Sequence, residues 1–145
     1  HMKAEFVIPG EPQGKARART CKNGITFTPE KTVLYENLIK TCYAEQCAGA
    51  FFSTLPNSEL KQPLHMEITA HFGIPKSYAK GRRLAAEHNI IRPTKKPDAD
   101  NIAKVVCDAL NGVAYIDDTQ IIDIRIRKAF GNPHVTVTIE NDIEG

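Results

Sequence analysis

The sequence predicts an α+β domain: a single mixed β-sheet with helices packed on one face. Three observations carry this. Leu64 to Phe72 alternates strictly, with Leu64, Met66, Ile68, Ala70 and Phe72 facing one way and His65, Glu67, Thr69 and His71 the other. Ile102, Val105, Val106, Ala109 and Leu110 recur at helical spacing. Two more alternating runs, Ile122 to Arg127 and Val135 to Glu140, lie at the end of the chain. Strands and helices follow one another without a βαβ rhythm. The chain has 145 residues, of which 41% are hydrophobic and 25% charged. That fits one globular domain over residues 1–145, long enough to bury a sizeable core, with residues 1–2 read as the remnant of a cleaved tag.

Taken in order, Ala4 to Ile8 reads as a strand. Pro9, Gly10, Pro12 and Gly14 then force a loop. Asn23-Gly24 signals a tight turn and a short hairpin through Ile25 and Phe27. Thr28-Pro29 reads as an N-cap followed by proline at the first helical position. The helix it opens runs to about Cys47, with Leu34, Leu38, Ile39 and Cys42 as its apolar stripe and Tyr35 beside it. Gly49 to Gln62 is a connection. The strand Leu64–Phe72 follows, and its His65 and His71 are read as solvated or hydrogen-bonded residues of a polar sheet face. Ser77 to Glu87 reads as a helix, and Ile90 to Pro97 as a loop pinned by Pro93 and Pro97. The helix after Pro97 stops at Asn111-Gly112. Val113 to Ile116 returns extended to Asp117-Asp118. The last two strands, joined through Gly131-Asn132-Pro133, are expected to form a hairpin.

The net charge is only +2, but its distribution is uneven. Residues 13–23 hold Lys15, Arg17, Arg19 and Lys22 with no acid, and residues 76–96 hold Lys76, Lys80, Arg82, Arg83, Arg92, Lys95 and Lys96 against Glu87. Acids gather between Lys95 and Asp118. Segregation of this kind sets a basic surface around an acidic centre. Cys21, Cys42, Cys47 and Cys107 show neither CxxC spacing nor a partner histidine pair, so reduced thiols are expected. No apolar run approaches the roughly 20 residues of a membrane helix.

Lys95 to Asp118 carries the chemistry. Asp98 and Asp100 flank Ala99 at the helix start, and Asp117 and Asp118 follow the helix end. Two neighbouring carboxylates repel, and a hard divalent cation with oxygen ligands relieves this. N-capping is the competing reading of the first pair, and a plain turn that of the second. Lys104 lies one turn after Asp100 on the same face, and Asp108 one turn further on. Lys104 is therefore either half of a surface ion pair or a cation beside a phosphate. The distance between the acidic ends is set by packing of the helix's apolar face.

These residues carry a resemblance. Lys96-Pro97-Asp98, Asp100-Asn101, Lys104, Asp108-Ala109-Leu110-Asn111-Gly112, Asp117-Asp118 and Gln120 resemble the signature of the RusA-type Holliday-junction resolvases. Pro9-Gly10 and Lys15-Ala16-Arg17 are similar to that family's opening strand and basic loop. The resemblance implies a homodimeric endonuclease that resolves four-way DNA junctions by paired nicks in recombination and repair, leaving 5′-phosphate ends. It implies Mg²⁺ as cofactor, with Mn²⁺ as a substitute, and neither a nucleotide cofactor nor a membrane partner. It implies Asp98, Asp100 and Asp118 as catalytic metal ligands, with Asp117 adjacent, and Lys104 as the catalytic lysine. Asp108 and Asn101 are then expected behind the ligands. Lys15, Arg17, Arg19, Lys76, Arg82, Arg83 and Lys96 are expected on DNA. A bacterial or phage-encoded cytoplasmic protein is implied. The alternatives are an idle branched-DNA-binding protein and a Mg²⁺-dependent phosphohydrolase acting on small substrates.

Overall fold

The computed structural model describes residues 1–142. Its elements are β1 (Lys3–Pro9), β2 (Arg19–Thr20), β3 (Thr26–Phe27), α1 (Glu30–Cys47), β4 (Leu64–Phe72), α2 (Lys80–Glu87), α3 (Ala99–Leu110), a 3₁₀ turn (Asp118–Gln120), β5 (Ile121–Phe130) and β6 (His134–Asn141). The main sheet has the order β1-β6-β4-β5. β6 is antiparallel to β1 and β4, and β4 is parallel to β5. The mixed α+β sheet is as expected. Its parallel pair, however, is a β4–α2–α3–β5 crossover, the βαβ unit that the sequence reading did not find. β2 and β3 form the short hairpin turned at Asn23-Gly24, with Gly24 at φ +84°.

The terminal hairpin is not formed. β5 and β6 are consecutive in sequence, but β4 lies between them. The amide of Gly131 donates to the carbonyl of Phe72 at 2.9 Å, so the end of β4 sits inside the turn. Strand alternation shows that each run is a strand but says nothing about its neighbour. Here β4, apolar on one whole face, gains a partner on each side by sitting in the middle of the sheet.

One face of the sheet is the core. Ala4, Phe6 and Ile8, then Val135, Val137 and Ile139, then Leu64, Met66, Ile68, Ala70 and Phe72 are all buried. From α3, Ile102, Val105, Val106, Ala109 and Leu110 pack onto the same cluster, as their spacing predicts. α1 differs. Its buried residues are Thr32, Tyr35, Ile39, Cys42 and Tyr43, and Leu34 is 61% exposed. The helix is turned so that the two tyrosines, which bury more surface than leucine, face inward. Tyr43 meets Phe6 edge-on at 5.3 Å. The cap differs as well: Pro29, not Thr28, occupies the N-cap, with no side-chain hydrogen bond. α2 starts at Lys80, three residues later than expected. No helix among the described residues is long and apolar enough to cross a membrane.

The open face of the sheet carries the histidines. His65 bridges Asp123 (Nδ1, 2.9 Å) and Asp142 (Nε2, 2.6 Å). His71 stacks on His134 with centroids 4.2 Å apart, and its Nδ1 is buried without a hydrogen-bond partner among the described residues. Burial first, and the His134 charge second, hold His71 below its usual value. A histidine with a folded pKa below its unfolded value of about 6.5 contributes stability above that pH. The contribution is lost as pH falls through the folded value. Hence His71→Phe, which keeps a stacked ring and binds no proton, is expected to flatten the fall in Tm between pH 7 and pH 5 relative to the parent protein. Parallel melting curves across that range check it.

Candidate active site

The acidic helix is entered through a cis Lys96–Pro97 peptide. Asp98 stands at the N-cap of α3 in extended conformation (φ −74°, ψ 160°), yet its side chain caps no helix amide. N-capping therefore does not account for this carboxylate. Asn101 Nδ2 donates to Asp98 Oδ1 at 2.7 Å and orients it. A hydrogen bond shared with the Asp100 carboxyl group, then Asp98's own backbone amide and Asn101, hold Asp98 below the usual carboxylate range. Asp98 and Asp100 are both exposed.

Asp118 is reached by the return of the chain after α3. Gly112 takes φ +76°, which ends the helix, and its amide donates to the Tyr115 carbonyl at 2.9 Å. The segment 112–114 is a turn, not the expected extended return, and Tyr115 forms a bridge with Phe52 from the 50s connection. Gln120 then organises the acidic turn. Its Oε1 accepts from the amides of Ile116 (2.8 Å) and Asp117 (3.1 Å). Its Nε2 donates to the carbonyls of Phe52 (3.0 Å) and Gln62 (3.2 Å). Asp117 is committed to the turn: Thr119 Oγ1 donates to Asp117 Oδ2 at 2.9 Å and is the main cause of its lowered pKa. Asp118 is pushed up, first by burial, then by Asp117 and Asp108, with Lys104 acting the other way.

The return thus brings Asp118 alongside Lys104 and Asp108, and leaves Asp98 and Asp100 paired one turn back along α3. Lys104 is 62% exposed and lies 3.6 Å from Asp108 Oδ2, the i,i+4 tether expected. Every donor is a carboxylate or amide oxygen, the class that Mg²⁺ and Mn²⁺ take, and two carboxyl groups in contact suit a cation. Among the described residues no three His, Cys, Asp or Glu side chains converge on one point.

The basic loop docks on the same helix, which sequence reasoning missed. Lys15 N donates to the Asn101 carbonyl at 3.0 Å. A Cβ on Gly14 would meet Asn101 Cβ at 2.9 Å and Pro97 Cβ at 3.0 Å, so only glycine permits this approach. Lys15 itself is not the open phosphate contact expected from its neighbourhood. Its ammonium is held by Glu36 (3.0 Å) and Asp108 (3.4 Å), tying α1 to α3. Burial opposes its charge, but these two acids prevail and its pKa is raised. Arg17, Arg19 and Lys96 remain exposed. Together with Lys15 and Lys31 they line one cleft with Asp98 and Asn101.

The second basic segment forms a separate wall. Arg82 stacks over Tyr78 at 4.1 Å, and Arg83 donates to the Pro75 carbonyl at 3.2 Å. Lys76 is exposed. Lys128 donates to the Lys95 carbonyl and Arg92 to the Lys128 carbonyl, which pins the loop leading to Asp98. Asp98 is close enough to act on Lys128, whose pKa burial nevertheless lowers.

In this α+β fold the Asp98 carboxylate thus opens into a cleft lined by Lys15, Arg17, Arg19, Lys31 and Lys96, a single acid among cations. Residues 9–140 match the family described as Endodeoxyribonuclease RusA. The chain therefore belongs to the RusA endodeoxyribonuclease family. It is also 33% identical over 140 residues to the Bacillus subtilis (strain 168) protein described as "Uncharacterized protein YqaN", covering 93% of this chain and 94% of that one. Nucleases of the RusA family generally depend on a divalent metal.

Proposed function

We propose that this protein is a Mg²⁺-dependent Holliday-junction resolvase that nicks four-way DNA junctions in pairs, as a homodimer. The observation that carries the reading is the cleft in which Arg17, Arg19, Lys31 and Lys96 stand beside Asp98. Cations there neutralise backbone phosphates and draw a phosphodiester toward the carboxylates.

Asp98, Asp100 and Asp118 would hold the ion, with Asp117 next to them. A bound divalent cation supplies charge for the phosphodiester and lowers the pKa of water. Asn101 fixes the Asp98 carboxylate, and Gln120 fixes the turn that presents Asp118. Water attacks phosphorus in line and the bond to the 3′ oxygen breaks, leaving a 5′-phosphate and a 3′-hydroxyl. The Lys104 ammonium stabilises charge growing on the phosphoryl oxygens. Asp108 positions Lys104 and, through Lys15, braces α3 against α1. Arg17, Arg19, Lys96, Lys76, Arg82 and Arg83 hold the arms of the junction.

A synthetic four-way junction and a linear duplex of the same sequence, each incubated with and without Mg²⁺, test the reading. Paired nicks in the junction alone, and only with Mg²⁺, are expected. Binding without nicks would leave a branched-DNA-binding protein, and equal cutting of both substrates would remove junction specificity.

Replacing Lys104 with Met is expected to slow cutting by about 10²-fold or more, the scale of losing one preorganised charge stabiliser. The exposed side chain packs against nothing that the fold requires, so melting temperature should stay put. Single-turnover cleavage on saturating enzyme measures the effect, and an unchanged rate would reduce Lys104 to a surface ion pair.

A further inference from the structure

The two edges of the main sheet are treated differently. The β1 edge is closed by α1: the Val7 amide donates to Gln46 Oε1 at 2.8 Å, and Gln46 Nε2 donates to the Val7 carbonyl at 2.7 Å. Cys47 Sγ lies 3.5 Å from the Glu5 carbonyl, and Pro9 ends the strand. The β5 edge is open. β5 pairs only with β4. Among the described residues, no hydrogen bond to its outer backbone groups is found from Ile122 to Arg127, while the Ile121 amide donates to the Asp118 carbonyl. The next contact is Arg92 with the Lys128 carbonyl at 3.1 Å, followed by the Phe130 amide with Asn89 Oδ1 at 2.9 Å. β5 is the longest strand and contains no proline. Ile122 is 61% and Ile124 42% exposed. Natural edges are commonly blunted by charge, and β5 carries Asp123, Arg125, Arg127 and Lys128; a long open edge of this kind is a template only for a strand whose charges match.

The charges on β5 restrict which strand that can be. Asp123, Arg125 and Arg127 share the open face of the sheet, as their pairing with His65, Glu67 and Thr69 shows. Ile124 and Ile126 lie on the helix face, opposite Met66 and Ile68. If β5 meets a second β5 antiparallel with the two-fold at Ile124, Asp123 stands opposite Arg125 of the other copy, twice. Ile124 then meets Ile124, and Ile122 meets Ile126. Centring on Asp123 would oppose two aspartates, and centring on Arg125 would set Asp123 opposite Arg127 twice but two arginines face to face at the centre. Like charges directly opposite destabilise a pair and unlike charges support it. A slip of one residue also moves the isoleucines to the wrong face. Of these registers, the one centred on Ile124 alone opposes unlike charges with no like pair.

We propose that two copies of this chain join through their β5 edges, antiparallel about Ile124, into one continuous eight-stranded sheet. This rests on the homodimer reading and assigns its interface. A two-fold of this kind stands perpendicular to the sheet, so both α3 helices stay on the same face. The two copies of the proposed site, one on each α3, then face one DNA molecule from the same side, related by the two-fold.

Analytical ultracentrifugation of the full chain tests it. Asp123→Arg and Arg125→Asp are each expected to weaken self-association by about tenfold or more, with circular dichroism unchanged. Mixing the two variants should restore the dimer, because each then faces an opposite charge in the other chain. As a check independent of charge, Ile124→Cys in a Cys21→Ser background should form a disulfide-linked dimer on mild oxidation. A parent dimer that both charge reversals leave equally tight, and that the Ile124→Cys substitution does not cross-link, would overturn the interface and leave the homodimer reading standing. A parent protein monomeric with and without a four-way junction would overturn both.

Discussion

Asp100→Asn is expected to abolish junction cutting in Mg²⁺, by about 10³-fold or more, and to leave junction binding within a few-fold of the parent; the upper end of the loss for one preorganised group sets the scale. Asn keeps the shape and removes the charge. Asp100 is exposed and forms none of the core contacts of α3, which come from Ile102, Val105, Val106, Ala109 and Leu110. The fold should therefore be unaffected. On the proposed reading, binding rests on the cations of the neighbouring cleft, Arg17, Arg19, Lys31 and Lys96, which Asp100 does not line. Removing one negative charge from a site that meets phosphate can even tighten it. Electrophoretic mobility shifts without metal, beside cleavage with Mg²⁺, separate the two quantities. Persistent cutting would mean that Asp100 does not hold the ion.

Gln120→Ala is expected to destabilise the protein by about 3 kcal/mol or more and to lower cutting beyond what the loss of folded protein explains. The side chain is 3% exposed and serves the amides of Ile116 and Asp117 and the carbonyls of Phe52 and Gln62. Each buried group left without a partner costs roughly 1–3 kcal/mol, and one truncation orphans several. The same bonds hold the turn that begins at Asp118. Urea titration measures the stability change. Cutting per folded molecule, read at low temperature where the variant remains native, measures the displacement of Asp118. Gln120→Glu keeps the acceptor for the two amides and loses the donor to the carbonyls. It should recover part of the activity, whereas a purely space-filling role would give Ala and Glu the same defect.

Much of the site was legible because its physics is local. The period of Ile102 to Leu110 places the helix, and the period also puts Asp100, Lys104 and Asp108 on its other side. Gly112 stops the helix where positive φ is needed, and Asp108 meets Lys104 as i,i+4 spacing dictates. The resemblance supplied the family, which the match over residues 9–140 bears out. What was not legible depends on distant segments. Lys15 looks like any cation of a basic loop until Glu36 and Asp108 converge on it. Gln120 looks like an ordinary polar residue before a strand, and only the 50s connection gives its amide something to hold. Gly14 reads as a loop glycine; the close approach of Asn101 and Pro97 is what requires it. The inward stripe of α1 is set by which residues the sheet can accept, and so Tyr35 and Tyr43 displaced Leu34.

Sequence alone determined the class of fold, the strand β4, the helix α3 and the uneven distribution of acids and bases along the chain. Those follow from periodicity, backbone preference and residue chemistry, which act within a few residues. Tertiary structure alone decided that β4 would part β5 from β6, that Asp118 would come near Lys104 and Asp108, and that the β5 edge would be left open. Each is a choice among partners far apart in the chain. Burial of the shared core settles such choices, and no local pattern encodes them.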